Sequence, residues 1–262
     1  MHQFTNLPNP ASPFPAGLAR LTRRRIAAVT VLWATGEKPA LPAAYAVIYL
    51  PCNRIHTPPM TLGQPIEFDF RTVTANIDDP SDVAEVAAMF TRDKTRAHQR
   101  ADILAGYDLF EDLIRMGKAA PEISDEVTAL TPLGRDSRRR ARLVNAAGDQ
   151  KPSTADLHQL CKVWGIRLES APHGLADDAT IADRIAALPD PASACWLAIA
   201  ATERALAIAL VTSRRYGRYT LDGEADVAAA LASHQGHLPL PQHPTDRPVS
   251  RPTTGVEHET AE

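Results

Sequence analysis

The chain has 262 residues, 28 of them basic and 31 acidic, and its formal net charge of −3 gives no overall attraction to nucleic acid, so any such binding needs a local patch. A hydrophobic content of 44% is normal for a soluble globular protein with a full core. The three cysteines lie far apart and form no CxxC pair, which argues against a disulfide framework or a thiolate zinc site and favours the reducing cytoplasm.

The N-terminal segment, residues 1 to 22, is rich in proline and small polar residues and lacks the apolar core of an export signal. Such a composition predicts a loosely ordered arm. Three strands are predicted after this arm, because the sequence there is β-branched and apolar or alternates apolar with polar residues: residues 25–36, 43–51 and 65–75. Strands of this character suit a sheet that is covered on at least one face.

Helices predominate in the following part of the chain. Apolar residues at helical spacing predict them within residues 82–93, 107–116, 153–165, 177–188 and 193–216, with one more short helix after residue 219. The helix at 193–216 contains Glu203 and Arg204 near its middle, which indicates a buried helix rather than a membrane span. The segment from Arg142 to Ala146 could be a strand or a helix.

The last residues, 234 to 262, are dense in proline, histidine and hydroxyl side chains and predict a disordered tail. One domain of α/β or α+β class is therefore expected over residues 23 to 233.

A histidine followed by two aspartates precedes one of the predicted helices. In APHGLADDATIADRIAAL, residues 171 to 188, His173 stands five positions before Asp178. The plain interpretation is that Asp177 caps the helix, because an aspartate there accepts hydrogen bonds from free backbone N–H groups and suits the helix dipole. The alternative is that His173 and Asp178 belong to a catalytic site.

Two further motifs accompany this one: a Thr35-Gly36 turn follows the first strand, and GYDLFEDL occupies residues 106 to 113. In this order the chain resembles the DEDD-type (DEDDh) 3′–5′ exonucleases of the RNase H-like superfamily, over residues 25 to 215. The resemblance implies an α/β fold whose mixed central sheet, a three-strand antiparallel meander plus shorter strands, is flanked by helices. In that family four carboxylates hold two divalent metals and a histidine is the general base. Mg²⁺ or Mn²⁺ would thus be the cofactor of an active protein, with none otherwise.

The resemblance assigns roles to individual residues. His173 takes the place of the general base and Asp178 that of a metal ligand, while Asp112 takes the place of the ligand aspartate in the middle motif. Catalysis is therefore expected of all three, and metal binding of Asp112 and Asp178. In the same middle motif, Gly106 matches the family's glycine and Tyr107 stands at its histidine. Asp112 also has a plain interpretation, an exposed carboxylate on an amphipathic helix.

The first motif departs from the family pattern Asp-x-Glu-Thr-Thr-Gly. Thr35 and Gly36 keep the turn, but Val31 and Trp33 stand where the aspartate and the glutamate belong. An aliphatic side chain and an indole cannot bind a hard cation. Two of the four carboxylates are therefore missing.

Displaced carboxylates would be one replacement for the missing pair. Glu67 and Asp69 lie two positions apart on a predicted strand and so face the same side, and Glu37 is the other nearby acidic residue. Starting the domain at that strand would discard the two strands before it. The plain interpretation of Glu67 and Asp69, the polar face of a half-exposed strand, is therefore preferred.

Two basic clusters, SRRYGRY at residues 213 to 219 and RDSRRRAR at residues 135 to 142, are candidate nucleic-acid contacts, because the first interleaves tyrosines with arginines. A basic helix C-terminus and a solvated loop are their plain interpretations. The residues expected to contact single-stranded DNA or RNA are Thr35, Gly36, Tyr107, Arg214, Arg215 and Arg218.

The sequence therefore predicts a degenerate 3′–5′ exonuclease-like domain, weak or inactive in metal-dependent phosphodiester hydrolysis, that retains binding of nucleic acid or of a partner. Two alternatives stay open. An active exonuclease with displaced carboxylates needs such a group close to Asp112 and Asp178. An unrelated α/β interaction domain, in which the His-Asp motif is only a helix cap, fails if the first three strands form one antiparallel meander with the helix of Asp178 beside its first strand.

Overall fold

The computed structural model describes residues 1–7, 24–34, 40–52, 60–62, 66–128, 141–146, 154–168, 175–221, 225–234 and 236–238. The strands in these ranges are β1 His2–Thr5, β2 Arg24–Ala34, β3 Leu41–Cys52, β4 Met60–Leu62, β5 Asp69–Thr74, β6 Ile103–Gly106, β7 Arg142–Asn145, β8 Ile166–Arg167, β9 Tyr219–Leu221 and β10 Ala225–Asp226. The helices are α1 Pro80–Arg100, α2 Leu109–Ala119, α3 Ser124–Thr128, α4 Thr154–Val163, α5 Asp178–Ala186, α6 Pro191–Arg215 and α7 Val227–Ala232, with a 3₁₀ turn at Pro121–Ile123.

A six-stranded mixed sheet forms the centre of the fold, with the strand order β1-β5-β3-β2-β6-β7. Strands β2, β3 and β5 form an antiparallel meander, and β1 extends its edge antiparallel to β5. On the other side of β2, β6 and β7 continue the sheet in parallel. The chain reaches β6 through α1 and β7 through α2 and α3, since parallel neighbours need long connections.

Helices cover both faces of this sheet. α6 packs on β2, β3 and β5 on one face, and α1 and α2 pack on β2 and β3 on the other. Because both faces are covered, β2 and β3 bury nearly all their described side chains, as their continuous apolar sequence favours. One apolar core lies between the sheet and α6, and a second lies between the sheet and α1 with α2. The predicted mixed α/β class, with a mixed sheet flanked by helices, is confirmed at this level.

Within the described ranges, α6 is the one helix long and apolar enough by length and composition to cross a membrane, but 83% of its most apolar window is buried. Such burial is typical of the core helix of a soluble protein and agrees with the interpretation drawn from Glu203 and Arg204. The cytoplasmic location stays a prediction.

The prediction of a loosely ordered N-terminal arm is wrong for its first residues. Residues 2 to 5 form β1, which pairs with residues 71 to 74 of β5. The side-chain amide of Asn6 then holds the chain to the sheet, because it donates to Phe68 O at 2.9 Å and accepts from Phe70 N at 2.7 Å. Local composition could not reveal a partner strand more than 60 residues away. Residues 8–23 lie outside the described ranges.

The prediction that the tail begins at residue 234 is also wrong at its boundary. The ring of His234 lies edge-on to Phe68 with centroids 4.2 Å apart, and its Nδ1 lies 3.3 Å from Asn6 Nδ2. Leu238 is buried in the α6-side core. These two residues belong to the domain, while residues 239–262 lie outside the described ranges.

α1 continues to Arg100, well beyond the predicted end at residue 93, because its second half buries charged side chains. Asp93 accepts hydrogen bonds from Arg71 Nη1 and from Tyr45 Oη, both at 2.9 Å. Lys94 Nζ donates to a backbone carbonyl of α3 at 3.0 Å. An apolar repeat cannot signal such burial. The ambiguous segment after residue 141 is the edge strand β7.

Candidate functional site

The candidate site lies at the C-terminal end of β2, where the first motif was expected. Val31 and Trp33 both belong to the core beneath α1 and α2, because alternate residues of a strand share a face. The register between β2 and β3 shifts between Leu32 and Trp33, and such a bulge re-aims the side chain beside it. The strand therefore presents an aliphatic residue and an indole where the family has two carboxylates.

α2 approaches this end of β2 because residue 106 is a glycine. A Cβ on Gly106 would lie 2.9 Å from the Cβ and 3.0 Å from the Cα of Leu109, the first residue of α2. Asn145 at the end of the neighbouring strand β7 fixes the helix start, since its Oδ1 accepts a hydrogen bond from Leu109 N at 2.9 Å. This tight turn places Asp112, one turn into α2, beside Trp33.

Asp112 and Trp33 are directly hydrogen-bonded: Trp33 Nε1 donates to Asp112 Oδ1 at 2.8 Å. Burial raises the pKa of Asp112 to about 7, with a further contribution from Asp108, although the Trp33 hydrogen bond and the positive charges of Arg115 and Arg204 oppose the rise. At neutral pH the carboxyl is therefore partly protonated. Asp112 is not the exposed surface carboxylate of the plain interpretation.

Asp178 is the first residue of α5, and 82% of its side chain is exposed. The predicted cap is confirmed: Asp177 Oδ1 accepts a hydrogen bond from Thr180 N at 2.7 Å, which lowers the pKa of Asp177. Leu175 just before it has a left-handed φ of 56°, a conformation that is held by burial of its side chain. α5 packs on α6 and also contacts β2, the first strand of the meander.

Arg204 of α6 interacts with both aspartates. Its Nη2 lies 3.9 Å from Asp178 Oδ1, and its charge also interacts with Asp112 and Tyr107. Burial lowers the pKa of the guanidinium, and the three acidic neighbours oppose that change. Since arginine stays charged even when partly buried, Arg204 places a fixed positive charge beside Asp112 and Asp178.

These residues do not fit a two-metal centre. Such a centre surrounds each hard cation with several carboxylate oxygens, whereas Val31 and Trp33 supply none and Trp33 already engages one oxygen of Asp112. Across the part of the chain that the structure describes, no group of three or more His, Cys, Asp or Glu side chains could hold a metal ion. The charge of Arg204 would also repel a divalent cation at this place.

Some expected site residues lie outside the described ranges: His173, Thr35, Gly36 and Glu37. Tyr107 is described, packs half-buried against the α6-side core and interacts electrostatically with Arg204. Its expected contact with nucleic acid stays a prediction.

Glu67 and Asp69 lie near the opposite end of the sheet from the candidate site. Through β3, Asp69 is level with Ala27 of β2, six residues before Trp33. At about 3.3 Å per residue this is about 20 Å along the strand. Asp69 forms an ion pair with Arg25 instead. This pair of carboxylates cannot supply the missing ligands.

The arginines of the SRRYGRY cluster have individual surroundings. Arg214 and Arg215 lie in the last turn of α6, where cations suit the helix dipole. Arg214 donates to the backbone oxygen of Trp164, and Arg215 Nη1 donates to Ala146 O at 3.3 Å. Arg218 follows the helix end, and its buried Nε has no hydrogen-bond partner among the residues described. Their expected nucleic-acid contacts stay predictions.

The sequence pattern assigned no role to Arg204 and treated Trp33 only as a loss. A signal existed for both residues. A charged residue in the middle of an apolar helix needs a partner when the helix is buried. A buried indole N–H needs an acceptor, which the structure shows to be Asp112 Oδ1. Neither signal identifies the partner without the fold.

Function has to be inferred from this geometry, because no protein-family model, no curated protein and no solved structure matches the chain.

Proposed function

We propose that this chain holds a degenerate 3′–5′ exonuclease-like domain of the RNase H-like fold, which does not hydrolyse phosphodiesters with two metals and retains its scaffold for binding nucleic acid or a partner. One observation carries the proposal. The indole of Trp33 is hydrogen-bonded to Asp112, and Arg204 lies beside Asp112 and Asp178.

The topology supports the exonuclease-like scaffold. An antiparallel meander of β2, β3 and β5, continued from β2 by two parallel strands, is the sheet that the resemblance implies. The helix that starts at Asp178 contacts β2, and Asp112 hydrogen-bonds to the end of the same strand. Three motifs that are far apart in sequence therefore meet at one strand end. An unrelated interaction domain offers no reason for this convergence.

The chemistry supports loss of hydrolysis. A two-metal enzyme needs ionised carboxylates whose combined negative charge attracts the cations. At this site Val31 and Trp33 supply no carboxylate, and one oxygen of Asp112 already accepts a hydrogen bond from Trp33 Nε1. Arg204 compensates the remaining negative charge from inside the protein. The site is therefore electrostatically complete with protein groups alone.

The first experiment measures hydrolysis by the full chain. Single-stranded DNA and RNA labelled at the 5′ end are incubated with Mg²⁺ or Mn²⁺, beside an Asp112→Ala/Asp178→Ala variant that controls for contaminating nuclease. We expect the same background with both proteins. Shortening from the 3′ end that is lost in the variant would overturn the proposal.

A second experiment tests the ancestry by restoring the motif. Val31→Asp, Trp33→Glu and Arg204→Gln are combined, and the matched control carries Val31→Asn, Trp33→Gln and Arg204→Gln. If the carboxylates at positions 31, 33, 112 and 178 converge as proposed, Mn²⁺ raises the Tm of the carboxylate variant and leaves the Tm of the amide control unchanged. The reason is that a ligand raises the Tm only when it binds the native state.

Far-UV circular dichroism establishes that both variants fold. A Trp33→Glu/Arg204→Gln variant, which keeps Val31 in the core, is measured alongside in case the triple changes disrupt packing. A folded carboxylate protein whose Tm ignores Mn²⁺ would refute the exonuclease ancestry.

A further inference from the structure

Two basic segments that are about 70 residues apart in sequence meet on one surface. The guanidinium of Arg142, on edge strand β7, lies over the ring of Tyr216 at 4.9 Å from its centroid. Near the other end of β7, Arg215 hydrogen-bonds to Ala146 O, which directly follows the strand. We call the patch formed by Arg142, Arg215, Tyr216 and Arg218 the β7-edge surface.

This surface is rich in positive charge. Arg142 and Arg215 are exposed and Arg218 is half-buried. None of the three makes an ion pair within the described ranges. The sequence has no acidic residue from 204 to 221 or from 137 to 148, and of the acidic residues just beyond these stretches, Asp136, Asp149 and Asp222 lie outside the described ranges. Asp102 lies next to Arg142 across the sheet, but its Oδ2 is buried.

Structural roles account for only part of the patch. The helix dipole explains Arg215, and a charge on an edge strand such as β7 discourages pairing with another chain. Neither explains Arg218, which lies beyond the helix and has a buried Nε without a hydrogen-bond partner in the part described. Tyr216 packs partly against the α6-side core and leaves part of its ring accessible beside Arg142. Guanidinium groups that make no ion pair in the described part of the chain, close to an aromatic ring, fit a ligand with regularly spaced anions and planar rings.

We propose that the β7-edge surface binds single-stranded nucleic acid, with Arg142, Arg215 and Arg218 contacting successive phosphates and the accessible part of Tyr216 stacking on a base. Arginine forks match phosphate oxygens, and stacking on an aromatic ring tolerates any base, so the binding is independent of sequence.

The Arg142 end of this surface lies away from the candidate site at the end of β2, whereas Arg215 contacts Ala146, next to the Asn145 that fixes the start of α2. Arg142 is level with Ile103 of β6 and, through it, with Ile26 of β2. Ile26 precedes Trp33 by seven residues, about 23 Å along the strand. Binding at the β7-edge surface needs no metal; it rests on the proposed function and specifies where that scaffold holds the nucleic acid.

The test measures fluorescence anisotropy of a labelled oligo-dT of about 12 nucleotides, a length within the usual range for one single-strand site, titrated with the full chain at several salt concentrations. The test variant is Arg142→Gln/Arg218→Gln, which spares the backbone hydrogen bond of Arg215. The matched control, Arg92→Gln/Lys118→Gln, removes the same charge from the exposed sides of α1 and α2. Thermal unfolding establishes that each variant folds.

We expect the wild type and the control to bind alike and the test variant to bind at least tenfold more weakly. The slope of log K against log salt should fall in magnitude by about 1.4, since each lost phosphate contact on a single strand removes about 0.7. Tyr216→Leu should weaken binding at least fivefold with the slope unchanged, because stacking releases no counterions.

Three results would overturn the proposal. They are no oligonucleotide binding by the wild type at low salt, equal losses in the test and control variants, and binding of polyglutamate or of duplex DNA as tight as that of the single strand. Each of these results would leave the hydrolysis and Mn²⁺ experiments unaffected.

Discussion

The perturbation with the clearest consequence is Asp112→Asn. In the native protein, burial raises the pKa of this carboxyl from 3.8 to about 7, although Trp33 donates a hydrogen bond to it. An asparagine keeps an oxygen that can accept that bond, has nearly the same size and is neutral at every pH. The variant therefore imitates the protonated aspartate.

The direction in which stability changes with pH depends on whether the folded or the unfolded protein releases the Asp112 proton first. In the unfolded chain Asp112 ionises near its usual pKa of 3.8, whereas the folded protein holds the proton until about pH 7. As pH rises, the wild type therefore loses stability through this interval, and the loss is complete above the folded pKa. The full difference corresponds to at most about 4 kcal/mol, of which about 2–3 kcal/mol develops between pH 5 and pH 8.

Urea unfolding at pH 5, 6, 7 and 8 measures this difference for the wild type and Asp112→Asn. The free energy of unfolding of the variant should rise relative to that of the wild type by about 2–3 kcal/mol over that range. This relative increase should level off above about pH 7.5. The control is Asp183→Asn, an exposed carboxylate of α5 that is expected to change stability by less than about 0.5 kcal/mol. Parallel curves for Asp112→Asn and the wild type, or a gain that grows toward acid pH, would refute the reasoning.

The same unfolding assay checks three further predictions. Arg71→Leu should lower the free energy of unfolding by about 3–5 kcal/mol, because it leaves Asp93 buried without its main cation. The double variant Arg71→Leu/Asp93→Leu should lose clearly less than the sum of the two single variants. Additive losses would contradict a coupled pair. Gly106→Ala should cost about 1–3 kcal/mol because its Cβ meets the start of α2, whereas Gly236→Ala, with open space around it, should be neutral. Asn6→Ala should cost about 1–3 kcal/mol by leaving two backbone groups of the sheet unpaired, and no change would mean that β1 contributes little.

The local pattern of apolar residues was sufficient to predict most of the helices and strands. The apolar runs that became β2 and β3 are buried on both faces, and the repeat in α5 places Ile181 and Ile185 in the core. These positions carry their signal in their own side chains. The second half of α1 does not, since Asp93 and Lys94 are buried through partners on other elements. A pattern that equates charge with exposure must end that helix too early.

Partners distant in sequence account for the errors at both ends of the domain. The sequence of β1 was predicted to be a loose arm because its four residues form no apolar repeat. The strand is instead stabilised by pairing with β5. His234 reads as part of a polar tail, yet Phe68 and Asn6 give it a place in the fold. The composition of a segment indicates how much apolar surface that segment can bury by itself. It does not reveal hydrogen bonds or contacts that a distant segment provides.

The candidate site shows how a resemblance can locate residues without predicting their state. Matching the motifs led to Asp112 and Asp178, and both interact with one guanidinium. What the motifs could not state is how the protein tolerates a partly buried carboxyl once two of its companions are apolar. In an active two-metal site the cations would balance that charge.

In this chain three groups reduce or compensate the negative charge of the Asp112 carboxyl. Trp33 donates a hydrogen bond to Asp112, Arg204 provides a positive charge, and Asp112 itself retains its proton up to about pH 7. Each lowers the cost of burying the carboxyl, so restoring the two missing carboxylates alone would set them against Arg204 and beside a partly neutral Asp112. On the proposed ancestry, metal binding therefore requires the arginine to change together with the carboxylate substitutions, which is why Arg204→Gln is combined with them in the restoration experiment.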